Sequence, residues 1–243
     1  MIAVTMDGRR LETAEGRTIL QLAREHGIPI PTLCYHEAME PFAACRLCVV
    51  EVDTPKGRQL VASCAYPCSD GLVVHTQTEA VQRSRRTTVE LLMASSEHVP
   101  LIRQLADQLG LGEPRFRLAA DDCVLCGLCV RVCREIVGVG AISLVNRGID
   151  KRVSPPFGLA SNVCIGCGTC VLVCPTGAIT LDDINGGAAT VHRHRSEFQA
   201  ESCQVCGYHA LAPQPADAAC LLATAECGEA RYSVPPLGGK ELA

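Results

Sequence analysis

Two stretches of this sequence space their thiols at short, regular intervals: "CVLCGLCVRVC" at 123–133 and "CIGCGTCVLVCP" at 164–175. Both read C-x2-C-x2-C-x3-C, and the second begins 41 residues after the first. Thiols so placed can form disulfides, bind zinc or hold iron–sulfur clusters. Zinc sites commonly draw on two separated cysteine pairs. A tight four-cysteine run that occurs twice instead suits two [4Fe–4S] clusters. The C-x2-C turns expose backbone N–H groups around the thiolates, which helps to hold a cubane.

The spacing is that of bacterial ferredoxins, in which the fourth cysteine of each run ligates the other cluster. The pairing therefore crosses: Cys123, Cys126, Cys129 and Cys174 for one cluster, Cys164, Cys167, Cys170 and Cys133 for the other. An internal repeat accompanies the runs: "GAISL" at 140–144 follows the first and "GAITL" at 177–181 follows the second. Each half reads as cysteine run, turn and short strand. The first half has extra residues before its strand, and "NRGIDKRVSPPFG" separates the halves, so an expanded ferredoxin fold is expected. "GVG" at 138–140 lacks the remaining glycine and the strand–helix context of a dinucleotide site.

A different constellation precedes these runs. Cys34, Cys45 and Cys48 are followed by Cys64, in the order C-x10-C-x2-C-x15-C. Plant-type [2Fe–2S] ferredoxins use three clustered cysteines and a distant fourth. A [2Fe–2S] cluster is expected, with zinc on the same thiols as the alternative; Cys68, in "SCAYPC", competes with Cys64 as the fourth ligand. The elements that must position these thiols are legible. "MIAVTMDGRRLE" reads as two strands joined by an Asp-Gly turn. "TAEGRTILQLAREHGI" reads as an amphipathic helix with Ile19, Leu20, Leu22 and Ala23 inward and Gly27 as its stop. "LCVVEVD", "QLVAS" and "LVVHT" read as further strands. This order suits a β-grasp ferredoxin, with three ligands on the loop after the helix and the fourth on a neighbouring loop.

Between the two modules, "TTVELLMA" and "VPLIRQLADQLG" read as linking helices. Arg83, Arg85 and Arg86 are expected on a solvated helix face, with a docking patch for a partner as the alternative. Beyond residue 185, Cys203, Cys206, Cys220 and Cys227 could hold an additional [4Fe–4S] cluster or a zinc ion, or remain free thiols. "ESCQVCGYHALAP" looks like one knuckle of a zinc ribbon without its partner. His192 and His194 in "VHRHR" alternate as on an exposed strand and are not expected to ligate.

The whole chain fits metal centres better than disulfides. It has 243 residues, 17 cysteines, no tryptophan and 3% aromatic residues. Few large side chains limit the apolar area a core can bury, and metal ligation adds to folding free energy. A formal charge of −4 gives no sign of nucleic-acid binding. No apolar run approaches a bilayer span, and the first residues lack the order of a signal peptide. A cytoplasmic location is expected, where thiols stay reduced.

"PTLCYH", "ACRLCVVEV", "ASCAYPCSDGLVVHT" and the two later runs together resemble one family over about residues 1–185. It comprises the diaphorase small iron–sulfur subunit of NAD-reducing hydrogenases and the N-terminal region of the large iron–sulfur subunit of respiratory complex I. The resemblance implies that Cys64, not Cys68, is the fourth [2Fe–2S] ligand. That family normally carries a His-x3-Cys-x2-Cys-x5-Cys motif for another [4Fe–4S] cluster. Here His98 is present, but no cysteine lies between Cys68 and Cys123; that cluster should be absent and His98 a surface or capping residue.

The expected fold class is α+β. It comprises a β-grasp [2Fe–2S] domain (1–78), a helical linker (79–118), a 2[4Fe–4S] ferredoxin-like domain (119–185) and a cysteine-containing module (186–243). The expected function is an electron-transfer subunit without a catalytic site of its own. Its partners would be a flavin-containing NAD(P)H-oxidising subunit and a catalytic oxidoreductase such as a hydrogenase or formate dehydrogenase. A free-standing multi-cluster ferredoxin is the alternative, and an Fe–S redox sensor a weaker one.

Overall fold

The computed structural model describes residues 1–155, 164–165 and 167–179, and the backbone of 188–190, 197–202 and 209–211. The chain divides into one compact unit from Met1 to Cys126 and a second beginning at Gly127.

In the first unit, β1 (Ile2–Met6) and β2 (Arg9–Thr13) pair antiparallel. Asp7 and Gly8, with φ of 48° and 80°, make the two-residue turn between them, whose twist matches that of paired strands. Val4 and Met6 of β1 point inward and are fully buried. Helix α1 (Ile19–Glu25) starts at Thr18, whose side chain accepts from the Gln21 N–H while Gln21 reciprocates to the Thr18 N–H. This capping box satisfies two N–H groups that the helix cannot. Ile19, Leu20, Leu22 and Ala23 are buried as the periodicity predicts, and Gly27 follows at φ 66°.

Strands β3 (Val49–Thr54), β4 (Gly57–Ala62) and β5 (Val73–His75) complete a five-stranded mixed sheet of order β2-β1-β5-β3-β4. Its one parallel pair is β1 with β5. Asp7 ties this pair at its end, accepting from the Thr76 N–H at 2.7 Å and from its hydroxyl at 2.6 Å. The apolar face of the sheet and α1 form one core.

Helices α2 (Glu79–Ser96) and α3 (Pro100–Gln108) pack against each other and enclose a second apolar cluster. Thr78 caps α2, and Pro100 opens α3, where a missing N–H costs nothing. The expectation for the α2 arginines needs one correction. Arg83 and Arg86 are exposed, but Arg85 is 2% exposed. It stands in the buried stripe Val81, Arg85, Val89, Met93, whose spacing of four keeps it on the inner face of the helix.

In the second unit, α4 (Leu128–Arg131) runs directly into one π-helical turn, Val132–Ile136. Helix α5 (Thr169–Leu172) packs against both. The strand read in "GAISL" is β6 (Ser143–Val145), which pairs antiparallel with β7 (Arg152–Ser154) from the intervening segment. Of "GAITL", residues 177–179 are described, without strand pairing; 180–181 lie outside the described residues. Strands β8 (Ala188–Thr190), β9 (Glu197–Ser202) and β10 (His209–Leu211) form an antiparallel sheet. No helix among the described residues is long and apolar enough to cross a membrane.

Candidate iron–sulfur sites

Cys34, Cys45 and Cys48 lie on the segment between α1 and β3, and Cys64 lies between β4 and β5. The β3–β4 ladder ends at Val49 opposite Ala62, so Cys48, next to Val49, and Cys64, two residues past Ala62, emerge side by side. Ser63 locks this end. Its N–H and its hydroxyl both donate to the Cys48 carbonyl, at 3.2 and 2.7 Å, while its own carbonyl accepts from the Leu20 N–H at 3.0 Å. Helix α1 thereby braces the site from its first turn.

The sulfurs stand as two close pairs. Cys48 Sγ is 3.4 Å from Cys64 Sγ, and the Cys45 N–H donates to Cys34 Sγ at 3.4 Å. Cys34 and Cys48 are 1% exposed and Cys64 is fully buried. Two non-glycine residues of the loop, Ala43 and Arg46, take φ of 55° and 58°, a strained region that persists only where the surroundings impose it. Within each pair the two thiols are pushed in opposite directions. The hydrogen bond between the two side chains, then burial, push the Cys34 thiol up, while the same side-chain bond holds Cys45 down to about 5. Likewise its bond to Cys48 and burial push Cys64 up, while Cys48 is held down to about 6. Thiolates are the metal-binding form, and the lowered thiol of each pair, Cys45 and Cys48, is the one whose surroundings favour that form.

Cys68 is set apart. Its N–H donates to the Arg17 carbonyl at 2.8 Å. Burial, then the Glu25 carboxylate, raise its thiol, and no cysteine contributes. The chemistry of the gathered set, four thiols in two pairs at the buried end of the ladder, fits a two-iron cluster with two thiolates to each iron. Among the described residues, no group of three or more His, Cys, Asp or Glu side chains is arranged to hold a single metal ion.

The later cysteines gather as well. Cys129 lies on α4, Cys133 on the π-helical turn, and Cys170 on α5, with Cys174 just beyond it. The Cys133 carbonyl accepts from the N–H groups of Val139 and Gly140, at 3.0 and 3.2 Å, and its sulfur from that of Ala141 at 3.3 Å. The Thr169 hydroxyl donates to Cys167 Sγ at 3.3 Å, and Cys174 Sγ is 3.6 Å from the Thr176 hydroxyl. Burial raises the Cys170 thiol to about 12, helped by the nearby sulfurs of Cys167, Cys164 and Cys133. Cys133 of the first run thus acts on Cys170 alongside two members of the second run, which suits a crossed cubane. In both runs the glycine after the second cysteine opens the next helix in the left-handed region, Gly127 at φ 79° and Gly168 at 69°. Leu125 also has positive φ, 53°, where the second run has Gly166.

The His-x3-Cys-x2-Cys-x5-Cys spacing, set on His98, falls on Ile102, Leu105 and Leu111. Ile102 and Leu105 are buried in the second apolar cluster with Leu33, Leu47 and Met93, and Leu111 packs against it. Hydrophobic packing occupies the positions of those three ligands. His98 is exposed, with Nε2 2.6 Å from Asp122 Oδ1. Cys45 and Cys126 both pack on this apolar cluster. Cys203, Cys206, Cys220 and Cys227, with His192 and His194, lie outside the described residues.

Two contributors escaped the sequence reading. Ser63 is fully buried, and its place beside Cys64 was the signal. The signal for Arg85 was its position on the apolar stripe of α2.

Residues 1–79 match the family of 2Fe-2S iron-sulfur cluster binding domains, and residues 161–180 the 4Fe-4S binding domain. The chain is 34% identical over 184 residues to an NADH-quinone oxidoreductase subunit from Rhizobium meliloti, covering 63% of this chain and 21% of that protein. It is 37% identical over 185 residues to the HndD subunit of the NADP-reducing hydrogenase from Solidesulfovibrio fructosivorans, covering 64% of this chain and 31% of that one. The chain thus spans between about a fifth and a third of the length of these curated relatives. A chain in the crystal structure of NAD+-reducing [NiFe]-hydrogenase in the H2-reduced state is similar, at 32% identity and a TM-score of 0.56. That match covers 64% of this chain and 75% of the hydrogenase chain. The protein therefore belongs to the family that the iron–sulfur subunit of NAD-reducing hydrogenases shares with the N-terminal region of the large iron–sulfur subunit of NADH-quinone oxidoreductase.

Proposed function

We propose that the chain is an electron-relay subunit of a multi-subunit oxidoreductase. It would pass electrons between a flavin-containing NAD(P)H-oxidising subunit and a catalytic partner such as a hydrogenase, formate dehydrogenase or other reductase. The observation that carries this reading is the meeting of Cys48 and Cys64 at 3.4 Å, beside the Cys34–Cys45 pair, in a buried pocket of thiols at the end of one ladder.

In this reading Cys34, Cys45, Cys48 and Cys64 hold a [2Fe–2S] cluster. Cys123, Cys126, Cys129 and Cys174 hold one [4Fe–4S] cluster, and Cys133, Cys164, Cys167 and Cys170 the other. Iron–sulfur clusters supply one-electron chemistry, at potentials set by hydrogen bonds to sulfur, charge and solvent exposure. The chain's own residues provide those settings. Leu33 and Leu47, next to Cys34 and Cys48 in the chain, are buried, and the N–H of Ala141 and the hydroxyl of Thr169 donate to cysteine sulfurs in the second unit. The reading keeps the divisions at 1–78, 79–118, 119–185 and 186–243, a cytoplasmic location, and a further [4Fe–4S] cluster or zinc in the last module.

Reconstitution tests this. Purified anaerobically, the chain should be reduced by dithionite but not by NADH; adding the cognate flavin subunit should make NADH effective. NADH oxidation by the chain alone, with no flavoprotein present, overturns the relay reading.

A further inference from the structure

Arg85 is a buried cation without a carboxylate. Its side chain is 2% exposed. Nη2 donates to the Val49 carbonyl at 2.9 Å, and Nε is buried with no hydrogen-bond partner. Among the described residues it has no ion-pair partner. Removing a guanidinium from water costs several kcal/mol unless an opposite charge compensates, and one carbonyl is a weak return. Val49 adjoins Cys48, so the hydrogen bond fixes this charge one residue from a cysteine of the gathered set. Burial lowers Arg85 to about 10, and the charge that most opposes this is Cys48, ahead of Asp7. Asp7 is already engaged by the Thr76 N–H and hydroxyl. The hydrogen bond to Val49 therefore holds the charge beside the thiol site, next to Cys48 in the chain.

We propose that Arg85 sets the reduction potential of the N-terminal centre, its buried positive charge favouring the additional negative charge of the reduced state. The proposal rests on the reading of Cys34, Cys45, Cys48 and Cys64 as ligands of a [2Fe–2S] cluster. Reduction there adds one electron, makes and breaks no bond, and draws on dithionite in the laboratory or the flavin subunit in the complex. The added charge lands on a centre already anionic from four thiolates. A cation held in a low-dielectric pocket acts on it far more strongly than one in water, and salt screens it little. Arg86, the next residue, is exposed, with Nε donating to the Leu109 carbonyl at 2.9 Å. Water and salt screen its charge, so it serves as the control.

The test is a mediated redox titration of the full chain, reading the [2Fe–2S] EPR signal at a temperature where cubane signals have broadened away. Arg85→Gln and Arg85→Met should become harder to reduce than the unmodified protein. Arg85→Lys, which keeps a charge on a shorter reach, should fall between, and Arg86→Gln should not shift. Raising the salt should leave the Arg85 effect in place. A neutral variant that assembles its cluster at an unshifted midpoint overturns the proposal. So does loss of the cluster from both neutral variants together with an unshifted lysine variant, which makes Arg85 only a fastener of α2. If the neutral variants fail to assemble and the lysine variant is harder to reduce, the proposal stands. Absence of any [2Fe–2S] signal from the unmodified protein defeats the ligand reading itself, a result distinct from an unshifted midpoint.

Discussion

At the scale of single residues, the choice between Cys64 and Cys68 turns on what each thiol touches. Cys64 meets Cys48 at 3.4 Å, whereas Cys68 is tied by its backbone to Arg17. Cys64→Ser should abolish or strongly alter the [2Fe–2S] EPR signal, while Cys68→Ser should leave it nearly unchanged; the reverse result would move the fourth ligand to Cys68. Leu125 offers a second test, because its φ of 53° is one that side chains resist. The left-handed conformation costs an L-residue about 1–2 kcal/mol, and a β-branched residue is a still greater misfit there. Leu125→Gly, the residue found at the matching place in the second run, should therefore assemble its cubane as well as the unmodified chain does. Leu125→Val should assemble less of it. Iron content and the visible absorption of the two variants, prepared in parallel, decide.

The elements supply the rigidity. Helix α1 braces Ser63, and Ser63 braces Cys48, so the thiol site inherits its order from a helix N-terminus and a strand ladder. Helices α2 and α3 support the other side through the apolar cluster against which Cys45 and Cys126 pack. Ile102 is a fully buried member of that cluster. Ile102→Ala should cost about 2–4 kcal/mol, the usual range for emptying such a site, measured as denaturant unfolding followed by loss of cluster colour. Ile102→Leu should cost far less, since volume is conserved. An alanine variant as stable as the unmodified chain would show that the cluster of side chains is loosely packed and supports neither loop.

For the whole molecule, the proposed sites together require about ten irons per chain, two from a [2Fe–2S] and eight from two [4Fe–4S] clusters. Metal analysis of anaerobically prepared protein should find at least that, with more iron, or one zinc, if the last module binds metal. A content of roughly two irons would remove both cubanes from the reading. The apolar replacement of Ile102, Leu105 and Leu111 also bears on the route. If the first site lies on the route, electrons entering there should reach the cubanes on the timescale of turnover of the reconstituted complex. Rapid-freeze EPR follows this. Reduced cubanes appearing without prior reduction of the first site would make that site a side branch.

Much of this was written locally. Thiol spacing, the Asp-Gly turn, the alternation in the strands and the helical period of α1 each depend on residues a few positions apart, and each was legible before any fold was known. The departure at Ile102, Leu105 and Leu111 was legible too, since a missing cysteine is a fact of the sequence. Tertiary structure decided what depends on distant residues. It set Cys64 beside Cys48 across a ladder whose register comes from pairing, and left Cys68 against Arg17. It brought Cys133 within electrostatic reach of the second run, although the chain between them is long. It also turned Arg85 inward, against the ordinary preference of arginine for water. A spacing rule cannot show whether a charge on an apolar stripe is solvated or buried; that depends on what packs over it, and here the end of β3 does.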